Sequence, residues 1–103
     1  MQITKNDMAQ LAKSAGEAAQ MMRLLANEKR LLILCTLVMR KEASVSELAE
    51  EVELGMSALS QHLAKLRDDG LVETRRVAQQ VFYRISNPDA AKLLKVLKDI
   101  YCP

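Results

Sequence analysis

From Met8 onward the apolar residues fall at Met8, Leu11, Ala15, Ala18, Met22 and Leu25. Steps of three and four are one stripe of a helix, close to a coiled-coil seam. Thr4 or Asn6 is placed to cap it. Asn27 offers the next cap, and residues 31–38 follow as an apolar run with no clear polar face, the pattern of a helix in the middle of the structure. Ser44 or Ser46 can cap a third helix, with Glu47 placed to complete a capping box from Ser44 and Val45, Leu48, Ala49 and Val52 on its inner face. Gly55 breaks that helix. Ser57 caps a fourth, in which Leu59, Leu63 and Leu66 recur at i, i+4 and i+7 until Gly70 ends it after Asp68 and Asp69. Residues 71–75 and 80–85 then read as two strands around a loop at 76–79, because Val72, Thr74, Val81, Phe82, Tyr83 and Ile85 suit a pleated surface. Asn87, Pro88 and Asp89 open a last helix with Leu93, Leu94, Leu97, Ile100 and Tyr101 inside. The order is four helices, a hairpin and a closing helix, a mainly α fold.

Composition narrows this further. The 103 residues suffice for one domain, 1–103, and half are apolar. Only three are aromatic, with three Gly and two Pro, too few of each for a sandwich of many short strands. The apolar content excludes disorder. No uncharged run approaches the roughly 18 residues of a membrane span, and the first residues lack the apolar stretch of a signal peptide. A cytoplasmic protein with no membrane partner is expected. One His, no C-x-x-C pair, no Gly-rich phosphate loop and no paired carboxylates argue against an enzyme. The net charge of +2 is uneven: residues 41–53 carry five acids and one Lys, and the next thirty are basic.

Two short helices meeting across Glu53, Leu54, Gly55 and Met56 have the turn length and Gly content of a helix-turn-helix, about 44–69. Turning Leu59, Leu63 and Leu66 inward places Ser57, Gln61, Ala64, Lys65 and Asp68 on the opposite side, with Ser60 and His62 on the flanks. That face is short and polar at the end where a recognition helix meets base edges. Gln61 is the best candidate for a base contact, since its amide donates and accepts at once to adenine. Ser57, Ser60 and His62 add hydrogen bonds to bases or phosphates, and Lys65 a phosphate contact. The hairpin, about 71–85, puts Arg75 and Arg76 at its tip with Gln79 and Gln80 beside them, the pattern of a wing reaching the backbone or the minor groove. Each feature alone is more often mere solvated surface; their order and spacing together point to double-stranded DNA.

The segment from Leu24 to Leu34, and Ser57-Ala58-Leu59-Ser60-Gln61-His62-Leu63-Ala64-Lys65-Leu66 with Asp69-Gly70-Leu71-Val72, closely resemble the ArsR/SmtB family of winged-helix repressors over nearly the whole chain. The resemblance implies a winged helix-turn-helix, a homodimer through the first and last helices, an imperfect palindromic operator, and DNA affinity switched by an inducer. The metal ligands of that family's sensors are missing. The third helix has no Cys, the last has no His, and Asp89 alone cannot supply about four ligands. No metal and no cofactor is expected. Cys35, Cys102 and the Gln79-Gln80-Val81-Phe82-Tyr83 run are similar to the persulfide-responsive BigR and SqrR type, and the ending Leu97 to Cys102 is similar to the HlyU type.

Cytosolic thiols stay reduced unless they react, so two cysteines here read as a reactive pair rather than a framework. Alone, Cys35 would be a small buried hydrophobe and Cys102 an incidental terminal thiol. The resemblance makes them a redox sensor for a reactive sulfur or oxidant species, closed by a direct disulfide or by a longer sulfur chain. Apolar stripes at both chain ends exceed what a small central unit covers, and such stripes mark an interface. Three alternatives stay open: an HlyU-like activator opposing a silencer, a metal-responsive repressor with a non-standard site, and a protein-interaction module that has lost DNA binding.

Overall fold

The computed structural model describes all residues, Met1–Pro103. Its elements are α1 (Lys5–Leu25), α2 (Glu28–Arg40), β1 (Ala43–Ser44), α3 (Val45–Val52), α4 (Met56–Asp68), β2 (Val72–Val77), β3 (Gln80–Ile85) and α5 (Pro88–Tyr101). Thr4, not Asn6, caps α1, closing a box in which Thr4 Oγ1 accepts from the Asp7 amide and Asp7 accepts from the Thr4 amide, both at 3.0 Å. Ser44, not Ser46, does the same for α3 with Glu47. Asn27 caps α2, and Asn87 caps α5 ahead of Pro88, whose missing amide proton costs nothing at a first helical position.

Ser57 does not cap α4. Gly55 holds that place without a side-chain bond, and Ser57 lies inside the first turn with its hydroxyl exposed. The other end of α4 closes as a Schellman motif: Gly70 takes φ +76° and donates to Arg67 O at 3.0 Å, while Leu71 donates to Leu66 O at 2.9 Å. Glu53 ends α3 in the left-handed region at φ 52°, which sets the sharp step into Gly55.

The buried core gathers Ile33, Leu34 and Leu37 of α2, Leu48 and Val52 of α3, Leu59, Leu63 and Leu66 of α4, Leu71 and Val72, and Ala90 and Leu94 of α5. Each fully buried Leu or Ile contributes about 1.5–3 kcal/mol by leaving water. Although α2 is central, it is not buried on all sides: the apolar Leu32, Val38 and Met39 stay exposed on its outer face.

Two differences concern the sheet. Ala43 and Ser44 pair with Tyr83 and Phe82, so the sheet has three antiparallel strands in the order β1-β3-β2. The strands of the hairpin also run further than the sequence pattern suggests: Arg76 pairs with Val81 and Val77 with Gln80, leaving a two-residue loop of Ala78 and Gln79. Ala78 takes φ 55°, where glycine is usual.

Both chain ends stand apart from this core. Every residue from Met1 to Gln20 is exposed, including Met8 and Leu11, and only Leu24 and Leu25 of α1 are buried. On α5, Leu94 is buried while Ile100 and Tyr101 are exposed. The radius of gyration, 15.3 Å, exceeds the roughly 13 Å of a compact chain this long because α1 projects.

Candidate nucleic-acid interface and thiol pair

With Leu59, Leu63 and Leu66 at 0–1% exposure, α4 is fixed in rotation, and its other side carries Ser57, Ser60, Gln61, Ala64, Lys65 and Asp68, all exposed. Helix α2 braces this unit at both ends. Lys29 Nζ donates to Val52 O at the end of α3 at 3.2 Å, and Arg40 pairs with both Glu47 and Glu51 of α3. Arg30 Nε donates to His62 Nδ1 at 3.4 Å. His62 is therefore half-buried between α4 and α2, and with Nδ1 accepting, its neutral ring carries the proton on Nε2. Lys65 lies 3.1 Å from Asp69, one turn on, an exposed pair that phosphate can displace.

Arg75 and Arg76 do not form the tip of the hairpin. They sit in β2 before the turn, because Arg76 and Val77 still have partners on β3, and the tip is Ala78 with Gln79. Alternation along β2 sends the two guanidiniums to opposite faces. Arg75 is engaged: its Nε and Nη2 donate to Glu42 Oε2 and Oε1 at 3.0 and 2.5 Å, and its guanidinium lies 5.5 Å from the Phe82 ring centre. The hydrogen bonds from Arg75 hold the Glu42 carboxyl below the usual Glu range and raise Arg75. Beside them Arg84 Nε donates to Glu73 at 2.7 Å across β2 and β3. Arg76 has no acidic partner within ion-pair distance, and Gln79 is exposed at the tip. The sequence reading missed Glu42, Arg30, Glu73 and Arg84. Register alone marks the Glu73 and Arg84 pair, but nothing local marks the others.

The two cysteines, 67 positions apart in the chain, lie within electrostatic range of each other. Both are free and exposed, Cys35 on α2 and Cys102 just beyond the end of α5. Burial by its neighbours raises the Cys35 thiol above its usual value, and the negative charge of a Cys102 thiolate raises it further, so the two sulfurs are in electrostatic reach. Asp89 has no such company; nowhere does the fold bring three His, Cys, Asp or Glu side chains together around a metal-sized gap. No helix is long and apolar enough to cross a membrane.

Residues 27–74, which hold α2, the helix-turn-helix and the start of the wing, match the family described as bacterial regulatory protein, arsR family. The transcriptional activator HlyU of Vibrio cholerae is 45% identical over 93% of this chain and 88% of its own. The chain belongs to the arsR family. As an ArsR-family member it is a DNA-binding transcriptional regulator with a winged-helix fold, and not an enzyme. The solved repressor BigR from Xylella fastidiosa superposes on this regulator with a TM-score of 0.86 at 42% identity, covering 98% of this chain and 99% of that one. Reduced HlyU from Vibrio cholerae gives 0.85 at 46% identity, covering 91% and 98%. The nodulation protein NolR of Rhizobium meliloti is 51% identical over 86% of this chain and 72% of its own.

Proposed function

We propose that this regulator acts as a homodimer on an imperfect palindrome, and that oxidation of Cys35 and Cys102 by a persulfide or related oxidant releases it. The observation that supports the switch is that those two thiols, one on the central helix and one at the end of a helix with an unpartnered apolar face, lie within electrostatic range of each other. The partner copy covers Met8, Leu11 and Met22 of α1 with Ile100 and Tyr101 of α5, which the chain leaves in water. The whole chain, 1–103, works as one domain.

In each subunit α4 enters the major groove. Gln61 reads a base edge, and Ser57, Ser60 and the Nε2 proton of His62 supply further hydrogen bonds. Lys65, on leaving Asp69, meets phosphate, as do Arg76 and, more weakly, Gln79 of the wing. Arg75 joins them only by leaving Glu42. The two α4 helices must lie about 34–36 Å apart to reach successive grooves, so a small rotation between subunits costs affinity.

Cys35 disfavours its thiolate, so Cys102 attacks first, taking the outer sulfur of a small persulfide and releasing that molecule's thiol. Cys35 then attacks Sγ of Cys102 itself, forming the Cys35–Cys102 bond and expelling the outer sulfur as hydrosulfide. Two protein thiols are oxidised to a disulfide, and one sulfane sulfur is reduced to sulfide. A second persulfide equivalent would leave a trisulfide instead. The crosslink ties α2 to the dimer helix, and coupling of about 1–3 kcal/mol suffices to release the operator. The solved relative named as reduced HlyU supports a redox-active thiol in this branch.

The test is operator affinity with and without persulfide for wild type, Cys35→Ser and Cys102→Ser. Both variants should bind as the untreated wild type does and ignore persulfide. Equal loss by wild type and by a variant carrying both Cys35→Ser and Cys102→Ser would overturn the switch. The sign of regulation follows operator position: binding over a promoter represses. Activation is the second reading, favoured by the 45% identity to a protein named as an activator.

A further inference from the structure

The outer face of the three-stranded sheet carries two ion pairs. Register places Ser44, Phe82 and Arg75 in one row across β1, β3 and β2, and continuing it one step places Glu42, Arg84 and Glu73 in the next. Arg75 lies over the Phe82 ring, and these rows hold two ion pairs, Glu42 with Arg75 and Glu73 with Arg84. Three arginines line the wing, yet only Arg76 lacks an acidic partner.

We infer that Glu42 sets how strongly the wing holds DNA of any sequence: it occupies the Arg75 fork as a phosphate group would, and so withholds one backbone contact per subunit. Arg75 is half-exposed, separated from the loop by the Arg76–Val81 and Val77–Gln80 pairs, and of the residue type that forms paired bonds to phosphate. A carboxylate accepting both Nε and Nη2 leaves that fork no bidentate site to offer. Contacts to the sugar-phosphate backbone strengthen binding to every sequence equally, whereas base contacts separate operator from bulk DNA. Withholding one backbone contact therefore weakens binding to operator and bulk DNA alike and leaves discrimination between them to Gln61. The position of Glu42 suits the role, because it lies between α2 and β1, outside the helices that hold α4, and a wing cation can be neutralised there without moving the recognition helix.

This inference rests on the DNA-binding dimer proposed above, and the experiment separates the two. Wild type, Glu42→Gln, Arg75→Gln and the double variant are titrated on a random-sequence duplex and on an operator duplex across a salt series. Melting curves confirm that each is folded. Glu42→Gln should bind the random duplex roughly three- to tenfold more tightly, with a slope of log K against log salt steeper by about 0.9 per bound subunit. Operator affinity should rise by the same factor, leaving the ratio of the two unchanged. Arg75→Gln and the double variant should match wild type, which assigns the gain to Arg75 and not to the lost negative charge of Glu42. Weaker binding by both single variants would overturn the inference and make the pair a clamp that positions the wing. An equal gain from Glu42→Gln with and without Arg75 would overturn it as a field effect. Salt-independent binding, or none, by wild type would instead remove the DNA-binding reading itself. As a second route, Phe82→Leu should loosen the stacked guanidinium and move random-duplex binding in the same direction by less; a fall would again mean a clamp.

Discussion

At the residue scale two side chains carry most of the chemistry. Gln61 sits exposed on a helix whose buried leucines leave it one orientation, so Gln61→Ala should lower operator affinity by about 1–3 kcal/mol while leaving random DNA nearly unaffected. Competition titrations against duplexes changed one base at a time would show the preference at a single position disappear. Cys35 is open to solvent yet desolvated, and its thiolate is disfavoured. It should therefore alkylate more slowly than an unstructured cysteine peptide at the same pH, and faster once Cys102→Ser removes the neighbouring charge; mass-resolved iodoacetamide kinetics measures both. Gln61 and the inward leucines were legible from spacing alone, since a helix with three leucines at i, i+4 and i+7 has only one way to face a core. The ties of Glu42 to Arg75 and of Arg30 to His62 were not, because they join positions 33 and 32 residues apart.

Among the elements, the helix starts were the most readable, because capping is local chemistry confined to four residues. Ser44 and Glu47 show it, and so does the exception at Gly55, where the tighter turn after Glu53 moves the start of α4 ahead of Ser57. Backbone hydrogen bonds from Thr4 and Ser44 hold Asp7 and Glu47 below their ordinary ranges, and Arg75 does so for Glu42. Each has a folded value below its unfolded one. The stability they add is thus complete above the unfolded carboxylate range and is lost as pH falls through the lowered values. Melting temperature should decline between about pH 5 and pH 2, and Glu47→Gln should flatten part of that decline. In the core, Leu59→Ala should cost about 2–5 kcal/mol, read by urea unfolding. The hairpin was misjudged at its turn: residues 74–79 contain no Gly, Asn or Pro to mark the bend, so pairing along β3 decides it. A two-residue strand such as β1 leaves no pattern at all.

For the whole molecule, α1 and the end of α5 leave apolar side chains in water that the proposed dimer would cover. Replacing Met8, Leu11 and Met22 with Gln should yield a monomer by sedimentation that keeps its core but loses cooperative operator binding. The reduced dimer should present its two α4 faces one helical turn apart, and the most direct measurement is the affinity of the reduced protein for operators whose half-sites are separated stepwise. Binding should peak with half-site centres about 10–10.5 base pairs apart and fall steeply at half a turn more. Affinity that ignores the spacing would contradict the account.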